Sequence, residues 1–218
     1  MKIHNCEQYS EEWWAVRKNR LTASIASKVL TPTGRKSTQY IPEMARIIAE
    51  GMGWQEPAPR VETYWMARGS DMEAQARNWL SLELDETVEE VGFISEGDYL
   101  GCSPDGIIKL DHFTNRGGHP DWKTTIPAEL KCPMPSTHIK WLLADELPSE
   151  HKAQLHFAMV ITRAPYGYFM SYHPECEPLL LKVERDDYTM KMYAAIQEYI
   201  VAFESAYKRI TGRDYGSE

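Results

Sequence analysis

The chain reads as a mixed α/β protein, a central sheet flanked by helices, and three observations carry that expectation. Short apolar runs bounded by turn residues alternate with longer segments of helical periodicity. Two predicted strands meet through the turn-like Ser103-Pro104-Asp105-Gly106, and a third, 24 residues beyond the aspartate, carries Glu129-Leu130-Lys131. A chain of 218 residues can bury a substantial core and no stretch reads as a linker or repeat, so one domain over 1–218 is expected.

In order along the chain, Glu11 to Arg17 forms a short helix, and Thr22 is placed to N-cap a second one running to about Val29. Thr31 to Thr38, rich in Thr, Pro, Gly, Arg and Lys, is a loop. A helix from about Gln39 to Met52 presents Ile41, Met44, Ile47 and Ile48 on one face, and another from about Trp65 to Leu84 presents Met72, Ala76, Trp79 and Leu80. Strands follow at about Val88 to Ser95, Leu100 to Leu110 and Pro127 to Cys132, with Asp111 to Ile126 a polar excursion containing Gly117-Gly118. Helices near Thr137 to Ala144 and Ser149 to Thr162, strands at about Gly167 to Tyr172 and Leu179 to Glu184, and a helix from about Asp186 to Ile210 complete the pattern.

Residues two apart on an extended strand share a face, so Glu129 and Lys131 point the same way while Leu130 points into the core. One carboxylate on that face can hold a divalent ion, and the amine can steer a water. Asp105, between proline and glycine, lies at a bend and delivers a second carboxylate to a strand end. Singly, Pro-Asp-Gly is a common turn and Glu-x-Lys a common solvated face. In this order, with apolar flanks, they fit a metal-dependent phosphodiesterase. That reaction needs a hydroxide-like nucleophile in line with the scissile bond, stabilisation of the charged transition state and help for the departing oxygen. Two divalent ions supply all three, and oxygen ligands suit Mg²⁺, with Mn²⁺ able to substitute. Asp105 would serve both ions, Glu129 and the Leu130 carbonyl would hold the ion that activates water, and Lys131 would orient that water or take its proton with a lowered pKa.

The rest of the composition narrows the class. No apolar run approaches the roughly 20 residues of a membrane span, and Met1-Lys2-Ile3-His4-Asn5 lacks a signal-peptide core, so a soluble, cytoplasmic protein is expected. Cys6, Cys102, Cys132 and Cys176 form no Cys-x-x-Cys pair, which argues for reduced thiols over a zinc ribbon or disulfide scaffold. The seven histidines include no His-x-x-x-His pair. The net charge of −8 disfavours a DNA binder only as an average. Residues 1–60 hold nine Lys/Arg against six Asp/Glu, and residues 61–120 hold four against twelve, so the N-terminal third is the expected phosphate-facing surface.

Four ordered blocks run from Trp13 to Pro174: Trp13-x-x-x-Arg17 with Thr22-Ala23-Ser24; Arg68-Gly69 followed by Glu73; the Pro104-Asp105-Gly106 to Cys132-Pro133 core; and Ala153-Gln154-Leu155-His156, with Met159 and Thr162-Arg163, ahead of a tyrosine-rich strand. Together they resemble the lambda-exonuclease, or YqaJ-type viral recombinase, branch of the restriction-endonuclease-like nucleases. The resemblance implies a restriction-endonuclease-like core. It also implies a phage or prophage enzyme that degrades duplex DNA from 5′ to 3′, releases 5′-mononucleotides and leaves a 3′ overhang. Glu73 would add an acidic contact on the second-metal side, and Gln154 would position water or phosphate. Arg17, Ser24 and Ser103 match the residues that hold a 5′ phosphate, a fitting set of guanidinium and hydroxyls. Arg35 is a looser match, and Met66 falls where the family places a strand-separating wedge, a position that a core methionine would fill equally well. The implied partners are double-stranded DNA ends, a single-strand annealing protein and further copies of the chain in a homo-oligomeric ring, a trimer by analogy.

Two departures stand out: a longer Lys109 to Pro127 connection, and His156 where the lambda enzyme has a second glutamine. Two other readings compete with the exonuclease. One is another nuclease on the same fold, a sequence-specific endonuclease or a Cas4-like enzyme, whose iron-sulfur form needs clustered cysteines absent here. The other is a DNA-end-binding module without catalysis, which the intact Asp105, Glu129 and Lys131 oppose.

Overall fold

Among the described residues, two mixed sheets are bridged by one helix. A computed structural model describes residues 1–54, 64–110 and 124–216, without the side chains of 64–71. The strands are β1 (Lys2–His4), β2 (Leu21–Thr22), β3 (Val88–Glu89), β4 (Phe93–Glu96), β5 (Leu100–Cys102), β6 (Gly106–Leu110), β7 (Thr124–Lys131), β8 (Tyr166–His173) and β9 (Cys176–Glu184). The helices are α1 (Glu11–Arg17), α2 (Tyr40–Gly51), α3 (Tyr64–Leu84), α4 (Pro135–Ala144), α5 (Ser149–Thr162) and α6 (Asp187–Thr211). One sheet has the order β1-β4-β5-β2 and the other β3-β6-β7-β8-β9. The β2–β5 and β7–β8 pairs are parallel and the rest antiparallel, so both sheets are mixed.

The predicted strand over 88–95 divides between the sheets as β3 and β4, and the one over 100–110 divides as β5 and β6. The break has a chemical cause. The Gly92 carbonyl accepts Trp13 Nε1 at 3.0 Å and Ser103 Oγ at 2.7 Å, the Val91 carbonyl accepts Gln8 Nε2 at 3.0 Å, and Pro104 has no N–H to give. β7 begins at Thr124, three residues before the predicted start, and β6 reaches Leu110. The rest of the connection, 111–123, lies outside the described residues. β1 and β2 were not expected; at three and two residues they exist only through distant partners.

The segment after Thr22 is a 3₁₀ turn, Ala23–Lys28, in place of the predicted α-helix. Thr22 does not cap it; its Oγ1 lies 3.2 Å from Ser24 Oγ. In α2 the inward stripe is Tyr40, Glu43, Met44, Ile47 and Ile48, and Ile41 is 65% exposed, contrary to expectation. Glu43 belongs inside because Lys28 Nζ and Arg46 Nε meet its two oxygens at 2.6 and 2.7 Å.

α5 is the bridge. Its Ala153, Phe157, Ala158 and Ile161 join a core built with the first sheet, α2 and α6, while Leu155 packs with Trp141, Phe169 and Leu179 on the second sheet. α3 covers the opposite face of that sheet, with Met72, Ala76 and Leu80 against Ile108, Ile126, Ala128 and Leu130. Helices on both faces of a mixed sheet are the predicted architecture. None of the four cysteines forms a disulfide; Cys102 and Cys132 are buried and Cys6 and Cys176 half-buried. Among the described residues no helix is long and apolar enough to cross a membrane.

His156 is 1% exposed, with Nδ1 2.8 Å from Thr189 Oγ1 and 3.7 Å from Asp186 Oδ1. Burial pushes its imidazole down from 6.5 to about 4, against the pull of Asp186. His151 is held at about 4 by burial and by Lys131. Below about 6.5 the unfolded chain binds protons at both positions that the folded protein refuses until about 4, so stability is complete above that window and falls as pH drops through it. Urea unfolding at roughly pH 7.5, 6 and 5 should show the decline, and His156→Gln should flatten it. An unchanged slope in that variant would refute the assignment.

Candidate active site

The β6–β7 ladder ends where Gly106 pairs with Ala128. Beyond it Glu129, Leu130 and Lys131 pair only with Phe169, Met170 and Ser171 of β8, leaving the other edge of β7 to be satisfied by something else. Asp105 supplies it: its Oδ2 accepts the Leu130 N–H at 2.8 Å and Lys131 Nζ at 3.0 Å. A residue's N–H and C=O leave an extended strand on the same edge, so the Leu130 carbonyl also faces the aspartate's side. Gly106, next in the chain, lets the strand lie close to β3, since a Cβ there would stand 2.6 Å from Val88 Cγ1.

Glu129 is 3% exposed, and its Oε1 accepts both Lys131 Nζ and Gln154 Nε2 at 2.5 Å. Glu129 and Lys131 thus share a face, as their spacing requires, while Leu130 sits in the α3 core. Gln154 reaches them from α5. Burial, with Asp105 adding to it, pushes the Glu129 carboxyl up to about 7, against the opposing pull of Lys131. Glu73 on α3 is also held at about 7, by burial and then by Asp105. Lys131, in the absence of the metals on which its expected lowering depends, is shifted the other way. Burial lowers it, but Asp105 and Glu129 outweigh that and raise it above the ordinary lysine value, so without a metal it is a firmly charged cation.

Arg17, Ser24 and Ser103 are joined through Trp13. Arg17 Nη2 donates to Ser24 Oγ at 2.5 Å and its guanidinium stacks 4.7 Å from the Trp13 ring centre, while Trp13 Nε1 donates to Ser103 Oγ at 2.9 Å. Arg17 also lines a cavity of about 190 Å³ with Lys18, Arg20, Arg46 and a single acid, Glu50. Arg35 is not among its lining residues. Its backbone instead closes the Thr31 loop, which Tyr188 ties to α6. The backbone at Met66 lies in α3, and its side chain is outside the described residues.

Three further residues belong to this region and were not singled out from sequence. Arg77, one turn after Glu73, donates from Nη1 to the Asp105 carbonyl at 2.7 Å and from Nη2 to Glu90 at 2.8 Å. The i, i+4 spacing from Glu73 is a signal that was available. His151, one turn before Gln154, stacks on Phe169 with ring centres 5.4 Å apart. Tyr9 lies against Trp13 at 5.1 Å.

The charge of Asp105 acts on both Glu129 and Glu73, and the Lys131 ammonium opposes it at each. Both carboxyl groups are raised to about 7 first by burial, with Asp105 adding to it and Lys131 opposing it. Among the described residues no three acidic, histidine or cysteine side chains form a closed ligand set. Asp105, Glu129 and the Leu130 carbonyl are hard oxygen donors, and a small divalent ion that keeps waters and phosphate oxygens in its remaining positions fits them.

A fold match extends over almost all of this architecture. An alkaline exonuclease from Laribacter hongkongensis superposes with a TM-score of 0.72 at 25% identity, over 92% of this chain and 96% of that one. Its complex with dAMP superposes with a TM-score of 0.71 at 24% identity, over 92% and 96% of the two chains. A phage-related exonuclease from Haemophilus somnus shares the fold at 9% identity, with a TM-score of 0.58 over 88% and 95%. Comparison with curated protein sequences gives no match. The model of the YqaJ-like viral recombinase domain matches residues 12–165, more than two thirds of the sequence and the stretch that holds Trp13, Glu73, Asp105 and Gln154, and the chain belongs to that family.

Proposed function

We propose that this protein is a Mg²⁺-dependent exonuclease that degrades duplex DNA from its 5′ ends, releasing 5′-mononucleotides and leaving a 3′ strand for annealing. The observation that carries the reading is the junction at the end of the β6–β7 ladder, where Asp105, Glu129 and Lys131 converge within hydrogen-bond distance. Family membership and the exonuclease named among the structural matches favour the same chemistry.

Asp105, Glu129 and the Leu130 carbonyl would hold the metal, with Glu73 on the α3 side. Bound there, Mg²⁺ supplies Lewis-acid polarisation of the phosphate and a water of lowered pKa. Lys131, held charged between two carboxylates, orients a water and offsets charge on the scissile phosphate. Gln154 fixes Glu129 through one oxygen, which leaves Oε2 for a metal or water. Burial of Glu129 removes competing solvent from that oxygen pair. Arg17, with Ser24, binds the terminal 5′ phosphate through charge-assisted donors, and Ser103 joins them by turning its hydroxyl proton from the Gly92 carbonyl. Action in a trimeric ring, beside a single-strand annealing protein in the bacterial cytoplasm, completes the proposal.

Asp105→Ala, Glu129→Ala and Lys131→Ala should each cut nucleotide release by at least about 10²-fold, as expected for groups that act on the transition state. Glu129→Ala and Lys131→Ala should leave the circular dichroism spectrum unchanged. Near-normal turnover by Lys131→Ala would remove the lysine from the mechanism.

Metal dependence is checked by chelation. EDTA-treated protein should be inactive and recover with Mg²⁺ or Mn²⁺, while Ca²⁺, larger and looser in coordination, binds without supporting cleavage. Activity in metal-free buffer would refute the proposal.

End specificity follows from the Arg17 set. Linear duplexes with a 5′ phosphate should be degraded faster than those with a 5′ hydroxyl, and covalently closed circles should be untouched. Arg17→Ala should erase the difference at a cost of about 1.5–3 kcal/mol, roughly 10- to 100-fold in rate. Equal rates on the two linear substrates would eliminate the phosphate pocket, and cutting of the circle would favour an endonuclease.

A further inference from the structure

Tyr9 has a backbone φ of 69°, in the left-handed region that a bulky side chain disfavours and glycine adopts freely. The other described non-glycine residues with positive φ are Asn19, Asp85, Asp145 and Arg163. Asparagine and aspartate tolerate this region, and Asp145 and Arg163 terminate α4 and α5. Tyr9 is the aromatic among them. It precedes Ser10, the N-cap of α1, so the turn needs this backbone shape but not this side chain. Folding alone would be served better by glycine.

The ring is also in an unusual place. It is 65% exposed and rests on Trp13 at 5.1 Å with the planes inclined at 43°. Trp13 is the residue that carries the Arg17 guanidinium and donates to Ser103 Oγ. Partial burial and the charges of Glu73 and Asp105 raise the Tyr9 phenol, and those of Lys131 and Arg17 oppose them. The ring therefore stands within electrostatic reach of both the carboxylates and the arginine.

We infer that Tyr9 is a stacking residue for the 5′-terminal nucleotide, its ring taking the base or sugar of the nucleotide whose phosphate lies at Arg17; this rests on the exonuclease reading. An aromatic face suits an enzyme that must accept every base in turn, because each base has a π-face and stacking is tolerant of sequence. The strained backbone persists because the ring is used, as strained residues at ligand clamps are.

The test uses a 5′-phosphorylated duplex with 2-aminopurine as its 5′-terminal base, bound in Ca²⁺, together with steady-state kinetics in Mg²⁺. The parent should quench the fluorescence of the terminal base. Tyr9→Gly should lose the quenching, raise KM roughly 5- to 100-fold with kcat within about twofold, and melt no lower than the parent. Tyr9→Phe should keep both the quenching and the KM. The same rise in KM should appear on 5′-hydroxyl ends, which separates stacking from phosphate capture. Unchanged KM and quenching in Tyr9→Gly, a defect shared by Tyr9→Phe, or a lowered melting temperature in Tyr9→Gly would each overturn the inference. A parent protein that released no nucleotide from linear duplex in Mg²⁺ would remove the exonuclease reading itself.

Discussion

The hydrogen bond from the Leu130 N–H to Asp105 Oδ2 is the contact on which the site depends. A β-ladder that stops midway along a buried strand leaves a backbone donor without a partner, and an unmade bond there costs about 1–3 kcal/mol. The aspartate completes the edge with a charged acceptor, and the same oxygen meets Lys131. Its own carbonyl is fixed by Arg77, which α3 brings in from the far face of the sheet. One residue thus joins the end of a strand, the catalytic edge and a covering helix.

Much of this was legible in the sequence because it depends on local periodicity. The two-residue repeat put Glu129 and Lys131 on one face, and helical spacing placed α1, α2, α3, α5 and α6 to within a residue or two. Gln154 came only through the family resemblance, and its 2.5 Å contact with Glu129 accounts for a neutral amide at that position. What escaped was non-local. The division of two predicted strands between separate sheets depends on Trp13 and Gln8 capturing carbonyls some eighty residues away in sequence, which no short window contains. The partner of Glu43 is likewise Lys28, in the turn before α2, so an acidic residue on an inward stripe reads as an error until the cation is seen. The lowering expected of Lys131 depends on bound metals, and the protein alone surrounds the ammonium with carboxylates that raise it.

The architecture also separates two electrostatic tasks. Arg17, Lys18, Arg20 and Arg46 gather near the first sheet, and the carboxylates gather at the edge of the second, although the whole chain carries a net charge of −8. Opposite local fields can coexist at short range because each is backed by buried, low-dielectric packing. α5 makes the arrangement rigid. The same fourteen-residue helix contributes apolar side chains to the cores of both sheets and the amide that steadies Glu129.

The seam between the sheets, Ser103-Pro104-Asp105, is only three residues long. Ser103 bonds to the Trp13 and Gly92 side of the protein, and Asp105 bonds to the end of β7. Two peptide steps bound the distance between their Cα atoms at about 7 Å, and the proline between them removes much of the remaining freedom. On the function proposed, one end of this seam meets the terminal phosphate and the other the bond to be cut. The seam is then a covalent ruler of about one nucleotide. Bond geometry caps that span, so the two ends of the seam cannot drift apart however the rest of the protein moves.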